Sequence, residues 1–252
     1  MMRVTILGSG TNLHPTRAAA GYLVRTDQTL LFDFGPRTLT NLLKTGVDRH
    51  AITHILFSHF HADHCSDFLT FFFDAQIVTK YQGGTRGPLT VIGPHGTERL
   101  FRTLFETLPG FTEPRFAVRF KEVSDRPFKI GDTTIRPRTV THSPDLHCLG
   151  YRVEYGGKAV AYSGDSEYCE NLVRLCGDAD AAILDCSYPA NRPGPVHLHA
   201  GQCGQVAREA AATRLILSHF YPLAERYDVT AQAAEEFGGR ITKASDLMTI
   251  RL

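Results

Sequence analysis

Short apolar runs alternate with polar, Gly- and Pro-punctuated breaks along the whole chain, and their period switches between that of strands and that of helices. Runs at 3–7, 20–25 and 29–33 read as strands and lead into a helical pattern at about 37–45. A strand at 52–57 follows, then a helix near 66–79, a strand at 89–92 and a helix at about 96–108. The middle of the chain reads as strands at 116–122, 133–140, 149–154 and 158–162, with Gly156-Gly157 as a hairpin turn. The chain closes with a strand at 181–185, a helix at 200–212, a strand at 214–218, a helix at 230–237 and a pair of short strands near 241–250. No linker, low-complexity run or change of composition divides it, so 1–252 is expected to be one domain.

The strand at 52–57 runs straight into His59-Phe60-His61-Ala62-Asp63-His64. Core packing does not explain three imidazoles and a carboxylate in six residues. Neutral imidazole with carboxylate suits zinc, manganese or iron, and suits neither calcium nor a structural thiolate site. The plain alternative is a histidine-rich surface loop. Further histidines and aspartates at the ends of later strand patterns weigh against it.

Composition adds little that is unusual. Apolar residues make up 42% and charged residues 21% of 252, ordinary for a globule with a substantial core. No window approaches 18 continuous apolar residues, so no membrane span is expected. Met-Met-Arg-Val-Thr-Ile-Leu-Gly enters a strand directly without a signal-peptide apolar region, which points to the cytoplasm. Cys65, Cys148, Cys169, Cys176, Cys186 and Cys203 form no C-x-x-C pair and read as free thiols in a reducing compartment. Cys65, directly after the histidines, reads as a small residue opening a helix rather than as a soft ligand. The formal charge is +1, so no basic excess announces a nucleic-acid partner. The basic stretch Arg115 to Arg138 reads as a strand edge guarded by charge in preference to a phosphate track.

The motif resembles the H-x-H-x-D-H signature of the metallo-β-lactamase fold superfamily, and the resemblance covers nearly the whole chain in order. It takes in the strand Val4 to Leu7 with the Gly8-Ser9-Gly10-Thr11 loop, and Leu30-Leu31-Phe32-Asp33 ending a strand in an aspartate. After the motif come Thr139-Val140-Thr141-His142, Ala161-Tyr162-Ser163-Gly164-Asp165 and Leu215-Ile216-Leu217-Ser218-His219. The resemblance implies an α/β four-layer αββα sandwich, and the two halves of the chain, each strand-rich then helical, fit it. It implies two divalent ions, zinc first, with manganese or iron open. His59, His61 and His142 would hold one, Asp63, His64 and His219 the other, with Asp165 bridging. A bridging hydroxide would be the nucleophile, and Asp63 could accept a proton. Asp33 would lie behind the ligands and fix the motif loop or a ligating histidine. His147, three residues before Gly150, is the alternative to His142 as third histidine. His142 is preferred because it ends the 133–140 strand. His197 in Pro195-Val196-His197-Leu198-His199 matches a histidine loop of phosphodiesterase and ribonuclease Z members. It could stabilise the transition state, protonate a leaving oxygen or serve only as support, while His199 reads as a helix-entry residue. The Gly8-Ser9-Gly10 segment lacks a phosphate-loop pattern and reads as a tight turn.

Departures narrow the function. Ala62 stands where flavodiiron members carry a glutamate, and Asp165 where true β-lactamases carry a cysteine. Only 22 residues separate His142 from Asp165, without the basic insertion expected of ribonuclease Z, and Asp33-Phe34-Gly35-Pro36 departs from its acidic start. The expected activity is hydrolysis of a small phosphodiester by a binuclear metal enzyme. The alternatives are carboxyl-ester, lactone or thioester hydrolysis on the same metals, and a non-catalytic metal module. A small-molecule substrate is expected and a nucleic-acid partner is not. A homodimer stays open.

Overall fold

In the computed structural model, which describes residues 1–108 and 114–252, the strands form two sheets that pack face to face. Sheet one runs in the order β14-β1-β2-β3-β4-β5-β6. Its strands are β1 (Arg3–Gly8), β2 (Gly21–Arg25), β3 (Thr29–Phe32), β4 (His54–Leu56), β5 (Leu89–Gly93), β6 (Val118–Glu122) and β14 (Thr249–Arg251). Sheet two runs in the order β13-β12-β11-β10-β9-β8-β7. It comprises β7 (Phe128–Ile130), β8 (Thr133–Val140), β9 (Cys148–Tyr155), β10 (Lys158–Tyr162), β11 (Ala181–Asp185), β12 (Arg214–Ser218) and β13 (Arg240–Lys243).

The period of two along each strand decides the layers. Val4, Ile6, Tyr22, Val24, Leu30 and Phe32 turn into a core shared with Tyr151, Val153 and Val160 of sheet two. Phe32 packs edge-on against Tyr151, with ring centroids 5.4 Å apart, and Tyr22 against Tyr162 at 4.5 Å. Leu7, Leu23 and Leu31 turn the other way, onto a phenylalanine-rich cluster. That cluster contains Phe68, Phe71 and Phe72 of α3 (Asp67–Tyr81) and Phe101 of α4 (Thr97–Thr107), with α1 (Thr38–Lys44) beside it. On sheet two α5 (Glu170–Cys176), α6 (Ala200–Glu209) and α7 (Val229–Ala234) cover the far side. This is the expected αββα sandwich. Among the described residues no helix is long and apolar enough to cross a membrane.

The clearest differences from expectation lie in four elements. The helix α5 and the strand β7 are additions, because seven and three residues are too few for either period to stand out. The closing strands are not partners of one another. β13 lies parallel to β12, and β14 antiparallel to β1. The connection crosses between sheets, since Ala244 N donates to Leu217 O and Leu247 N to Ile6 O. The charged stretch 115–138 contains β6 and β7, one edge strand of each sheet, as edge protection requires.

The carboxyl ends of β3, β4, β8, β10, β11 and β12 deliver Asp33, His59, His142, Asp165, Asp185 and His219. Ligand sites of open α/β sheets form at such ends.

Candidate metal centre

After β4 the chain turns through Ser58 and His59, and His61 caps the single-turn helix α2 (Ala62–Cys65), which carries Asp63 and His64. The segment after β3 packs beneath this loop. A Cβ at Gly35 would stand 1.8 Å from Asp63 O, so only glycine permits the approach. Asp33, fully buried, accepts from Ser58 N at 2.7 Å, Ser58 Oγ at 2.7 Å, His64 Nδ1 at 2.8 Å and Tyr162 OH at 2.5 Å. Asp33 thus lies behind the histidines and ties the motif loop to both sheets.

These contacts fix the imidazole tautomers. The Asp33 carboxylate accepts from His64 Nδ1, so His64 Nε2 carries the lone pair. Ser58 Oγ gives its proton to Asp33, so His59 Nδ1 donates to Ser58 Oγ at 3.0 Å. His142 Nδ1 donates to Val196 O at 2.6 Å. In each case the other ring nitrogen turns inward.

Two groups of inward atoms result. His59 Nε2 lies 2.9 Å and His142 Nε2 3.2 Å from His61 Nδ1. His64 Nε2 lies 3.3 Å from His219 Nε2, which is 3.6 Å from Asp63 Oδ2. Asp165 stands between them. Its Oδ2 is 3.9 Å from His59 Nε2 and 3.8 Å from His142 Nε2, and its Oδ1 is 3.1 Å from His64 Nε2 and 3.3 Å from His219 Nε2. Asp165 Oδ1 is buried with no hydrogen-bond partner. Converging lone pairs and an orphaned carboxylate oxygen repel one another unless a cation sits among them. The N/O donor set fits divalent zinc, manganese or iron.

The electrostatics agree. Burial holds the His59 pKa well below the ordinary value, as a neutral ligand requires. Burial also opposes charge on His64, but Asp165 and Asp33 outweigh it and lift that pKa well above the ordinary value. A field that favours a proton there favours any cation.

Asp185 carries no signal in the motif, yet it completes the site. Its Oδ2 accepts from His197 Nδ1 at 2.7 Å, and its Oδ1 accepts from Ser187 Oγ at 2.6 Å and lies 3.4 Å from His219 Nδ1. The His197 ring lies 4.8 Å from that of His142 and 5.6 Å from that of His219. Burial lowers the His197 pKa, and Asp185 more than reverses that. The backbone here is strained: Asp33, Val196 and His219 have φ of 53°, 56° and 62°. Gly164 has φ of 60° just before Asp165.

The remaining candidates sit apart. His147 Nε2 turns to Thr139 Oγ1 at 3.0 Å, away from the donor groups. His199 is the N-cap of α6 and forms a capping box with Gln202. Cys65 Sγ donates to His61 O, and burial pushes its pKa up to about 12, so it remains a thiol outside the donor groups. The Gly8-Ser9-Gly10 turn packs against the His219 strand end, where Phe220 N donates to Ser9 O at 3.0 Å.

Comparison with known proteins gives a consistent set of matches. Residues 28–220 match the Beta-lactamase superfamily domain. An uncharacterized protein of Mycobacterium leprae (strain TN) is 33% identical over 95% of this chain and 85% of its own length. A ribonuclease Z of Mycobacterium avium (strain 104) is 28% identical over 100% of this chain and 99% of its own. The crystal structure of YhfI from Bacillus subtilis, a metallo-β-lactamase fold protein, superposes with a TM-score of 0.86 at 25% identity. The match covers 99% of this chain and 98% of that one.

Proposed function

The chain belongs to the β-lactamase superfamily of metal-dependent hydrolases, and we propose that it is a binuclear enzyme cleaving a small phosphodiester. His59, His61 and His142 would hold one divalent ion, Asp63, His64 and His219 the second, and Asp165 both. Zinc is the first choice of metal, and manganese or iron suits the same donors. Such ions supply Lewis acidity toward a phosphoryl oxygen and make water acidic enough to attack at neutral pH.

The observation that carries the reading is the position of Asp165, whose two oxygens face two separate sets of ring nitrogens. The chain's own residues then divide the proton work. Asp63, whose carboxylate is more exposed than that of Asp165, would take a proton as water attacks at the oxygen not turned to His219. Asp185 engages His197 Nδ1, which leaves Nε2 as the atom to protonate a departing alkoxide. An alkoxide leaving phosphorus needs that proton more than a thiolate leaving a thioester does, which favours the phosphodiester. On this reading residues 1–252 act as one domain, and six free thiols suit the cytoplasm.

The test is a parallel assay of protein loaded with zinc, manganese, cobalt or iron. Bis-p-nitrophenyl phosphate, a lactone, a thioester and a precursor transfer RNA are the substrates. Turnover of the diester is expected, with about two ions per chain by elemental analysis. Turnover confined to lactone or thioester would replace the phosphodiester with those esters. Cleavage of the precursor alone would give this chain the activity named for its M. avium relative.

A further inference from the structure

At the opposite end of β1 from the histidines, three arginines stand side by side across three strands. The register sets Arg3 directly against Arg251 of β14 on one side and Arg25 of β2 on the other. Val4, Val24 and Ile250, the next residues along, all turn into the shared core, so the three guanidinium groups share the outer face. With Lys44 at the end of α1 they ring a cleft of about 250 Å³. Its floor is Thr5, Leu23, Val47, Leu247 and Thr249, with Thr5 and Thr249 hydrogen-bonded at 3.0 Å. Among the described residues none of the three arginine side chains has a hydrogen bond or an ion pair.

This row costs stability, because like charges directly opposite on antiparallel strands repel. Edge protection accounts for Arg251 alone, since β14 is the edge strand and β1 and β2 are interior. Charges kept in register at a cost, around a concave floor, point to a ligand that neutralises them. Guanidinium forks match phosphate oxygens, and three such forks with an ammonium match several phosphate charges at once. We propose that this cleft binds a small polyphosphate anion, at a site separate from the metal centre. Five residue-to-residue steps of strand, roughly 17 Å at about 3.3 Å each, separate Arg3 from Gly8 and the turn that packs beside His219.

The probe is inorganic tripolyphosphate, titrated calorimetrically into the metal-loaded full chain at low and at moderate salt. Arg3→Gln and Arg25→Gln should each weaken binding about tenfold and flatten its salt dependence. Without ligand at low salt, both variants should melt above the parent chain, because the repulsion is relieved. A purely structural role for the arginines would lower the melting temperature instead. Adenosine triphosphate as a second probe separates two sources of the same chemistry. Tighter binding than tripolyphosphate assigns a nucleotide whose ring lies on the exposed Leu247, and equal binding assigns the phosphate chain alone. Unchanged tripolyphosphate affinity in both variants, or variants that melt below the parent, would overturn the proposal.

Discussion

Asp33 directly follows β3 in sheet one, and Asp185 ends β11 in sheet two. Both are buried, both follow an apolar strand, and each has a serine hydroxyl on one oxygen, Ser58 for Asp33 and Ser187 for Asp185. They differ in what else they hold. Asp33 takes a backbone N–H, a tyrosine and a single imidazole, drawing the motif loop and Tyr162 of sheet two to one point. Asp185 also takes a backbone N–H, that of Ser166 at 3.3 Å, but it faces two imidazoles, His197 and His219. Burial opposes its ionisation, and those two rings outweigh burial and keep its carboxyl below the usual range. One aspartate fixes where the donor atoms are. Each also sets which nitrogen of a neighbouring histidine carries a proton, Asp33 for His64 and Asp185 for His197, and only His197 lies outside the proposed metal ligands. Asp165 lies between the two systems, and variants at all three positions separate these roles.

The largest effect is expected at Asp165. Asp165→Ala removes the carboxylate that faces four ring nitrogens, and both donor groups lose a member. Bound metal should fall from about two ions per chain toward zero, with activity lost, measured by elemental analysis after dialysis. Retention of both ions would contradict its bridging place. Next comes Asp33→Ala, which leaves Ser58 N–H, Ser58 O–H, His64 Nδ1–H and Tyr162 O–H buried without an acceptor. Orphaned donors of this kind should cost about 3 kcal/mol or more in total. For a chain of this length that lowers Tm by roughly 6–12 °C at 2–4 °C per kcal/mol. A thermal melt within about 2 °C of the parent would remove Asp33 from the scaffold.

The two aspartates carry the same sequence signal, and only one of them falls within the resemblance to the metallo-β-lactamase superfamily. Leu30-Leu31-Phe32-Asp33 and Ala181-Ala182-Ile183-Leu184-Asp185 are the same pattern, an apolar strand with a terminal carboxylate. Asp33 stands out because the resemblance puts an aspartate at the end of the strand before the motif. Asp185 has its partner His197 twelve residues on, across a loop whose course depends on Val196 at φ 56°. No local period encodes that. The choice between His142 and His147 rested on which one ends a strand, whereas the geometry turns on Val196 O, 54 residues away, accepting from His142 Nδ1. The arginine row depends on register among residues 3, 25 and 251, which only the closed sheet supplies. The sandwich is legible because the segments that resemble the metallo-β-lactamase superfamily follow in order along the chain, each an apolar run ending near an aspartate or histidine.

Asp185→Asn should act on turnover more than on folding. The amide keeps the shape but no longer stabilises an imidazolium at His197. The expected loss in kcat is about 10²–10³ for diesters with poor leaving groups, and less for p-nitrophenyl esters, which leave without protonation. His197→Ala should show the same dependence on leaving group, with metal content unchanged. If Asp185 acts through His197, the double variant is no worse than the more impaired single one. Losses that multiply would mean that Asp185 works mainly on His219, as a partner that tunes a metal ligand by about 10–100-fold.

The two serines provide the finest test of the comparison, with the smallest effects. Ser58 Oγ donates to Asp33 Oδ2 and accepts from His59 Nδ1, so Ser58→Ala removes a support from the scaffold. One hydrogen bond to a buried carboxylate contributes about 1.5–3 kcal/mol, so Tm should fall by several degrees while the kcat of fully metal-loaded protein changes little. Ser187 Oγ donates to Asp185 Oδ1 and lies 3.1 Å from His219 Nδ1. Asp185 keeps both histidines when that hydroxyl is removed, so the fold loses less. The charge balance at His197 shifts, and Ser187→Ala should lower kcat about 3–10-fold on poor leaving groups, a change of roughly 1 kcal/mol in the barrier. The measurement is one thermal melt and one pair of rates for each variant. Ser58→Ala moving the melt and Ser187→Ala moving the rate would separate the aspartates as argued. Both serines moving the melt alone would make Asp185 a second scaffold carboxylate, and the proton at His197 Nε2 would need another source of control.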